Sequence, residues 1–397
     1  MATNAIRWTI SDRGRCARLI AALLICLSLA SGQADAAEPG APADLGDGWK
    51  TAAPEKSGFD TAKLEKLDAD IRAGMHGNIH AVLIERNGAL VYERYYEGPD
   101  ENWGDPLGVR KSGPAELHDL RSVTKSVTSL LLGIALGEDF ERDLGMPLPE
   151  LFPEYRQIMV PEAANVTLED VLTMRSGLQW NEMHVPYTSP ENDEVRMIRS
   201  ADPIALVLAR PVVEKPGTRW DYNGGNTQIL SKLIESRTGQ RIDRFAESTL
   251  FAALGIGNYE WRRGFWGPEF APSAASGLRL GPRDLAKIGS LVLNDGKWNG
   301  TQVVPEAWMH ASLERRVAAV PWLAGTGIGY GFMWYTGPLD PATGPDIAMA
   351  IGYGQQRLFV VPELGLSVTV LAALYRDNRH QEAGKIFRRI LAAQKRP

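Results

Sequence analysis

An apolar run from Val123 to Leu136 constrains the fold of this chain more than any other stretch. Its apolar residues recur at helical spacing, and its second half is apolar on nearly every side. A helix of that kind is covered on all faces, so the sequence predicts a helix at the centre of the protein. Ser122 and Lys125 stand at its start, one turn apart and on the same face.

Ser122 and Lys125 have the chemistry of a nucleophile and its base. A serine hydroxyl needs a base within hydrogen-bond reach before it attacks a carbonyl. A lysine serves as that base when burial or a neighbouring cation lowers its pKa. The helix start also offers the backbone N–H of Ser122 to an oxyanion. Because Ser-x-x-Lys often occurs by chance, the pair alone does not define a catalytic site.

The N-terminus has the organisation of a secretory signal peptide. Four arginines precede an apolar run over 19–30, and Ala34 and Ala36 occupy the small-residue positions of a cleavage site. About twelve apolar residues are too few to span a bilayer as an anchor. We therefore expect cleavage after Ala36 and export to a periplasm or out of the cell. Both cysteines, Cys16 and Cys26, lie in the removed segment, so we expect no disulfide and no thiol chemistry.

Composition and the remaining motifs exclude several classes of function. The 397 residues carry a net charge of −5, which argues against a nucleic-acid partner, and the sequence does not predict an oligomeric state. No Gly-x-Ser-x-Gly elbow and no phosphate-binding glycine loop occur. His76 and His80 are separated by Gly77 and a strand start, so a metal site there is not expected. His118 is close to Ser122 in sequence and is interpreted as a structural residue.

The order of elements predicts an α/β layer interrupted by helices. Asp60 is placed to cap a helix, and Asn87-Gly88 joins two strand-like runs into a hairpin. Residues 99–117 have the composition of a loop, and helices and loops continue to about residue 260. Strands are then predicted over 330–336, 347–351, 356–361 and 366–374, followed by a helix over 378–393.

These elements predict one antiparallel sheet built from both chain ends, flanked by helices, with an inserted helical domain. The predicted organisation is a signal peptide over 1–36, a linker over 37–56, an α/β domain over 57–121 and 265–397, and a helical domain over 122–264. The active site is expected at the interface of the two domains.

Three motifs in order along the chain carry a resemblance to a known family. They are Ser122-Val123-Thr124-Lys125, Trp220-Asp221-Tyr222-Asn223-Gly224-Gly225-Asn226-Thr227 and Ile351-Gly352-Tyr353-Gly354-Gln355-Gln356. Together with the segments 174–180 and 276–278, they resemble the penicillin-binding-protein and β-lactamase superfamily of serine hydrolases over roughly residues 50–393. The chain is most similar to the class C-like branch, which includes esterases, D-amino-acid peptidases and 6-aminohexanoate-dimer hydrolases.

The resemblance implies a β-lactamase/transpeptidase-like fold and a division of labour. Ser122 would form an acyl-enzyme, Lys125 would take its proton, and Tyr222 would relay a proton to the leaving group. Lys125 and Tyr222 both remain candidates for the base, and an ammonium on Lys125 would favour a tyrosinate. The backbone N–H groups of Ser122 and Tyr353 would form the oxyanion hole. The implied substrate-binding residues are Asn223, Gly352 and Gly354, with no metal and no other cofactor.

Three departures from the family pattern affect the expected substrate. Ala350 stands where the family usually has a lysine or histidine that grips a substrate carboxylate, and its absence removes a charge-assisted bond of about 1.5–3 kcal/mol. Gly224 replaces a frequent asparagine, and Gln355 replaces a frequent glycine. We therefore favour hydrolysis of small esters or amides. The alternatives are a β-lactamase or D-alanyl-D-alanine carboxypeptidase, and a non-catalytic penicillin-binding sensor of the same fold.

Overall fold

The computed structural model describes residues 40–340, 342, 344–377 and 381–395. The predicted signal peptide therefore lies outside the described residues. The strands are β1 (Lys50–Thr51), β2 (Ile79–Arg86), β3 (Ala89–Tyr95), β4 (Glu97–Asn102), β5 (Asp105–Lys111), β6 (His118–Asp119), β7 (Tyr259–Trp261), β8 (Leu278–Leu280), β9 (Lys297–Trp298), β10 (Thr301–Gln302), β11 (Gly329–Tyr330), β12 (Tyr335–Pro338), β13 (Asp346–Gly352), β14 (Gln356–Val361) and β15 (Leu366–Ala372).

Eight of these strands form the main sheet, in the order β1-β3-β2-β15-β14-β13-β12-β11. The pair of β1 and β3 is parallel, and the other pairs in this sheet are antiparallel. The strands come from residues 50–95 and 329–372, so both halves of the chain build one sheet. The predicted fold class is confirmed.

The first hairpin follows the predicted turn chemistry. Asn87 and Gly88 have φ angles of 50° and 82°, as a two-residue hairpin turn with the twist of its strands requires. Arg86 consequently pairs with Ala89, and β2 runs beside β15 in the middle of the sheet.

The helices are α1 (Thr61–Arg72), α2 (Val123–Leu136), α3 (Glu141–Leu144), α4 (Leu148–Leu151), α5 (Leu168–Leu172), α6 (Asp193–Ile198), α7 (Pro203–Leu208), α8 (Gly224–Thr238), α9 (Ile242–Ala246), α10 (Ala252–Leu254), α11 (Pro282–Leu293), α12 (Glu306–Leu313) and α13 (Glu382–Ala393). Of these described helices, none is long and apolar enough to cross a membrane.

Helices cover both faces of the sheet. Neighbouring residues of a strand point to opposite faces, and Phe359 stacks on Phe387 of α13 at a centroid distance of 4.3 Å. Leu358 instead approaches Gly289 of α11, because a Cβ added at Gly289 would lie 2.8 Å from Leu358 Cδ1. Since α11 and α13 lie on opposite sides, β15 is buried along its whole length.

Helix α2 occupies the centre, as its sequence predicts. Its residues from Val123 to Gly133 are all buried, and it packs against α8, α12 and the sheet strands β13 and β14. Gly133 permits a close helix contact, because a Cβ there would lie 2.2 Å from the ring of Trp308. Burial on all sides holds the start of α2, and therefore Ser122, in a fixed position.

Two predicted irregular segments are structured. Residues 99–117, predicted as a loop, contain most of the β4–β5 hairpin, whose turn has positive φ at Trp103 and Gly104. Every residue of β5 is exposed, so this strand lacks the alternating apolar pattern that reveals a strand in a sequence. The expected linker over 37–56 contains β1, and Arg283 binds the Ala43 carbonyl within it.

The strand predicted over 366–374 ends at Ala372, and the helix predicted over 378–393 is described from Glu382 onward, since 378–380 lie outside the described residues. The strand predicted over 330–336 is two short strands, β11 and β12, joined by a turn in which Gly331 donates to the Trp334 carbonyl. Residues 122–258 contain helices and turns but no strand, in agreement with the predicted order. The division into two domains remains a prediction.

Candidate active site

Ser122 is presented by a strained backbone turn. Arg121, the residue before it, has φ of 50°, a left-handed conformation that costs a residue with a Cβ about 1–2 kcal/mol. Its guanidinium is held 2.7 Å from Glu101 and 3.1 Å from Asp119, over the ring of Tyr375. These contacts maintain the turn, and α2 begins directly after Ser122.

The structure brings Ser122, Lys125 and Tyr222 together. The Tyr222 hydroxyl donates to Ser122 Oγ at 2.6 Å, and Lys125 Nζ lies 3.3 Å from the same oxygen. Lys125 also donates to the Ala275 carbonyl at 3.0 Å and lies 4.7 Å from the centre of the Tyr222 ring. Lys125 and Tyr222 are buried, so water does not compete strongly for these contacts.

The Tyr222 segment is anchored by Met174. Asp221 donates its backbone N–H to the Met174 carbonyl at 2.8 Å, and the N–H of Asn223 faces the Met174 sulfur at 3.4 Å. Met174 has a φ of 58°, and its carbonyl and its sulfur both face the 221–223 segment. The Tyr222 ring also packs edge-on against Trp322 at 5.6 Å. The phenol is therefore fixed from both sides.

The surroundings of Tyr222 favour a protonated phenol, and the choice of Lys125 or Tyr222 as the base stays a prediction. Burial raises the pKa of Tyr222 well above its usual value, and the nearby Glu182 carboxylate raises it further. These effects exceed the opposing influence of the hydrogen bond to Ser122. Lys125 Nζ lies 4.7 Å from the centre of the ring, and the phenol donates to Ser122 Oγ.

Two buried carboxyl groups, Glu182 and Glu194, lie behind the site. Glu182 accepts hydrogen bonds from the Trp180 indole at 2.8 Å, the Gly224 backbone N–H at 2.8 Å and the Tyr187 hydroxyl at 2.9 Å. Glu194 accepts from the Ser276 hydroxyl at 2.6 Å. Burial, followed by repulsion from Glu194, raises the pKa of Glu182 to about 8, so this pair retains a proton at neutral pH.

No residue spacing in the sequence pointed to Glu182, although it lies in the long 179–200 segment. Its position depends on Gly224, the departure from the frequent asparagine. A Cβ at Gly224 would lie 2.9 Å from Glu182 Oε2, so the missing side chain leaves space for the carboxyl group. Only the fold brings these two residues together, because they belong to different segments of the helical region.

The end of β13 lies beside Ser122. A Cβ at Gly352 would lie 2.3 Å from the Leu120 carbonyl, so glycine allows the strand to approach the turn that carries the serine. Gly354 has φ of 80° and faces the Tyr375 ring. Among the described residues, the backbone N–H groups of Ser122 and Tyr353 have no protein acceptor. Both remain available to an oxyanion, as the resemblance implies.

Asn223 lies at the start of helix α8. Its side chain is buried and its Oδ1 accepts from the Asn226 backbone N–H at 3.0 Å, which caps the helix. Asn223 lines neither of the cavities described below, and its role in substrate binding stays a prediction. Gln355, the other departure near the site, adopts φ of 74°, the conformation that a glycine would adopt without strain.

Two cavities of about 510 Å³ and 500 Å³ flank Ser122. We call the first the tyrosine cavity, because Tyr222 lines it together with Met183, Trp322, Tyr335, Ile351, Gly352 and Gly354. We call the second the arginine cavity, because Arg199, Arg262 and Arg263 line it beside Glu194 and Ser276. Tyr187 and Tyr353, whose rings are 6.1 Å apart, border both.

Arg357 is a charged residue of the tyrosine cavity that the sequence did not indicate. It lies opposite Ile351 in the β13–β14 pair and donates to the carbonyls of Gly352 and Gln356, both at 2.8 Å. Burial lowers its pKa to about 10, which leaves it charged at neutral pH. Arg376 and Asp377 also line this cavity, so Arg357 is one of three charged side chains around it.

Comparison with known proteins defines the class to which this site belongs. The profile of the Beta-lactamase family matches residues 67–393. The chain therefore belongs to the β-lactamase family.

Particular relatives are distant. A Salmonella agona protein named "Putative D-alanyl-D-alanine carboxypeptidase" is 22% identical over 244 residues, which are 57% of this chain and 54% of that protein. The chain thus matches about half the length of this curated relative.

Two solved structures have a similar fold. A "Putative 6-aminohexanoate-dimer hydrolase" from Bacillus anthracis has a TM-score of 0.62 and 19% identity, with 79% of each chain covered. EstCE1, a hydrolase with promiscuous acyltransferase activity, has a TM-score of 0.63 and 15% identity over 83% of this chain and 98% of its own.

Proposed function

We propose that this chain hydrolyses small esters or amides through an acyl-enzyme on Ser122. The observation that carries the proposal is the convergence of two side chains on one oxygen. Ser122 Oγ receives the Tyr222 hydroxyl at 2.6 Å and lies 3.3 Å from Lys125 Nζ. A serine hydroxyl held between a potential base and a proton donor has the arrangement that nucleophilic catalysis requires.

The contacts suggest how the proton moves during acylation. Ser122 Oγ attacks the carbonyl carbon while its proton passes to the unprotonated amine of Lys125, whose other hydrogen bond to Ala275 fixes the lone pair towards the serine. The carbonyl oxygen becomes an oxyanion beside the N–H groups of Ser122 and Tyr353.

Collapse of this oxyanion breaks the bond to the leaving group, which takes the Tyr222 proton. Lys125 then returns a proton to the phenolate. The raised pKa of Tyr222 supports this role, because a protonated phenol is a donor rather than the initial base.

Deacylation follows the reverse order with water in place of the leaving group. Water attacks the acyl carbon and gives its proton to the Lys125–Tyr222 pair, and Ser122 recovers its own proton when the ester bond breaks. The free acid leaves, and the site returns to its starting protonation state.

The direct test is a substrate panel run on the wild type and on Ser122→Ala. The panel contains p-nitrophenyl esters, nitrocefin, D-amino-acid amides and 6-aminohexanoate oligomers. We expect ester or amide turnover in the wild type, covalent labelling by a fluorophosphonate, and loss of both in Ser122→Ala with unchanged circular dichroism. Equal turnover by the variant would show that Ser122 is not the nucleophile. Labelling or stable penicilloylation without turnover would indicate a sensor of the same fold.

Arg357 favours a second candidate, the cleavage of substrates that carry a carboxylate, such as β-lactams and D-alanyl peptides. Ala350 cannot supply the cation that many family members place on β13, but the Arg357 guanidinium on the next strand lines the same cavity as Ser122. If Arg357 binds the substrate carboxylate, Arg357→Gln should raise KM for nitrocefin by about tenfold or more. KM for a neutral p-nitrophenyl ester should remain unchanged. Equal effects on both substrates would assign Arg357 to the support of the β13 backbone.

We also infer that the protein is exported. The basic, apolar and small-residue segments over 1–36 support this inference. Sequencing of the N-terminus of the protein from a cell-envelope or culture fraction should give Ala37 as the first residue. An N-terminus that remains Met1 in that fraction would contradict cleavage.

A further inference from the structure

A cluster of three metal-binding side chains lies outside the active site. His80 on β2, Asp100 on β4 and His118 on β6 are all buried at their side chains. Their ligand atoms lie within 4.8 Å of one another. His80 Nδ1 is 3.0 Å from His118 Nε2, which is 3.6 Å from Asp100 Oδ1. Ligands about 2.0–2.2 Å from one metal ion stand about 3–4 Å apart, so these separations suit a shared ion.

The neighbours of the two histidines determine which nitrogen carries the proton. His80 Nε2 lies 3.1 Å from Asn78 Oδ1, and the Asn78 amide is oriented by its own donation to the Pro99 carbonyl at 2.7 Å. Asn78 Oδ1 accepts, so the proton of neutral His80 is on Nε2. His118 Nδ1 lies 3.2 Å from the Asp119 carbonyl, which can only accept. The proton of neutral His118 is therefore on Nδ1.

As a consequence, both neutral rings turn an unprotonated nitrogen towards the other, 3.0 Å apart and next to a carboxylate. Two lone pairs at that distance repel unless a cation lies between them. The cation is either an added proton or a metal ion. Outer partners that fix a histidine tautomer in this way are the usual surroundings of a metal-bound imidazole.

We propose that His80 Nδ1, His118 Nε2 and Asp100 Oδ1 bind a divalent transition metal ion, with Zn²⁺ as the natural occupant. Two imidazoles and one carboxylate are a typical ligand set for zinc with one position left for water. The sequence did not indicate this site, because the spacing of His76 and His80 argued against a metal site and His118 was interpreted as a structural residue. His76 instead binds Glu382 at 2.9 Å and Arg389 at 3.1 Å.

The ion would have a structural role. The three ligands belong to three strands of different sheets, so one ion would fasten the β4–β5 hairpin to β2 and to β6. Strand β6 leads directly into Arg121 and Ser122, which makes the ion a support for the serine turn rather than a participant in the reaction. Binding to the folded state alone would raise the thermal stability of the protein.

The test is metal binding by the full chain without its signal segment. The protein is unfolded in the presence of a chelator, refolded with Co²⁺ or Zn²⁺, and freed of unbound ion by gel filtration. We expect one ion per chain, visible absorption from a Co²⁺ ion with nitrogen ligands, and a Tm higher by at least about 3 °C than that of the chelated protein. None of these measurements depends on catalysis.

Variants separate this site from others. His118→Gln and Asp100→Asn should each weaken Co²⁺ binding by more than about 100-fold, and Asn78→Ala, which removes an outer partner, by about 10–100-fold. His310→Gln, at an exposed histidine, is the matched control and should bind as the wild type does.

If the wild type takes up no stoichiometric metal and its Tm does not change with chelator, His80 and His118 share only a proton. That result would overturn the proposal. So would uptake that survives His118→Gln and disappears in His310→Gln, because that result indicates surface binding. If His118→Gln fails to fold, the wild-type stoichiometry and the Asp100→Asn titration still decide the question. None of these outcomes bears on the acyl-enzyme at Ser122.

Discussion

Replacement of Tyr222 by phenylalanine tests the proposed proton relay most sharply. The substitution removes one hydroxyl, which donates to Ser122 Oγ at 2.6 Å. It keeps the ring, and with it the contacts to Trp220 and Trp322 at 6.1 Å and 5.6 Å and to Lys125 Nζ, 4.7 Å from the ring centre. The variant therefore separates proton transfer from packing.

The expected effect on catalysis is large and the expected effect on stability is small. Loss of a positioned acid–base group costs about 10²–10⁴ in rate, which is about 2.7–5.5 kcal/mol of transition-state stabilisation. Loss of one neutral hydrogen bond costs about 0.5–1.5 kcal/mol of folding stability, and Ser122 retains its contact with Lys125. kcat/KM should fall by about 10²–10⁴ while the Tm changes by only a few degrees.

The assay is steady-state hydrolysis of the best ester or amide from the substrate panel, with acylation followed as a burst. Tyr335→Phe is the matched control. It removes another buried phenol from the tyrosine cavity, but that phenol makes no hydrogen bond to Ser122, so its kcat/KM should stay close to that of the wild type. A Tyr222→Phe enzyme within tenfold of the wild type would refute the relay. Equal losses in both variants would indicate that cavity shape, not proton transfer, limits the rate.

Two further predictions concern stability. Burial raises the folded-state pKa of Glu182 to about 8. The folded chain therefore keeps a proton that the unfolded chain releases above a pH of about 4.3. The free energy of unfolding should fall as the pH rises between these two values. Urea unfolding from about pH 5 to about pH 9 should give a flatter profile for Glu182→Gln than for the wild type, whereas parallel profiles would contradict the raised pKa. Gly133→Ala gains about 1 kcal/mol of helix propensity but places a Cβ 2.2 Å from the buried Trp308 ring, and overpacking costs about 1–3 kcal/mol. We expect a lower Tm in thermal unfolding, and a higher Tm would mean that Trp308 can move aside.

Local chemistry explains what could be predicted from the chain. The apolar periodicity of α2 identifies the central helix, and the Asn87-Gly88 pair fixes a hairpin turn through its positive φ angles. The motifs around Ser122, Tyr222 and Gly352 indicate the fold class and the three side chains that meet at the site. Each of these features depends on residues close together in sequence, where spacing and conformational preference are sufficient.

Prediction failed where a residue's role depends on distant partners. The exposed strand β5 has no apolar pattern to reveal it. The raised pKa of Tyr222 also could not be read from the neighbouring lysine, because it follows from burial and from the approach of Glu182.

The sequence by itself determined the elements and the reactive groups of this protein, because helix periodicity, turn residues and motif spacing are local properties. Only the tertiary structure decided the surroundings of those groups. It placed the Glu182 carboxyl in the space left by Gly224, the Arg357 guanidinium in the cavity beside Ser122, and His80 against His118. The physical reason is that burial, charge pairing and hydrogen bonding depend on distances between side chains, and packing of the whole chain sets those distances.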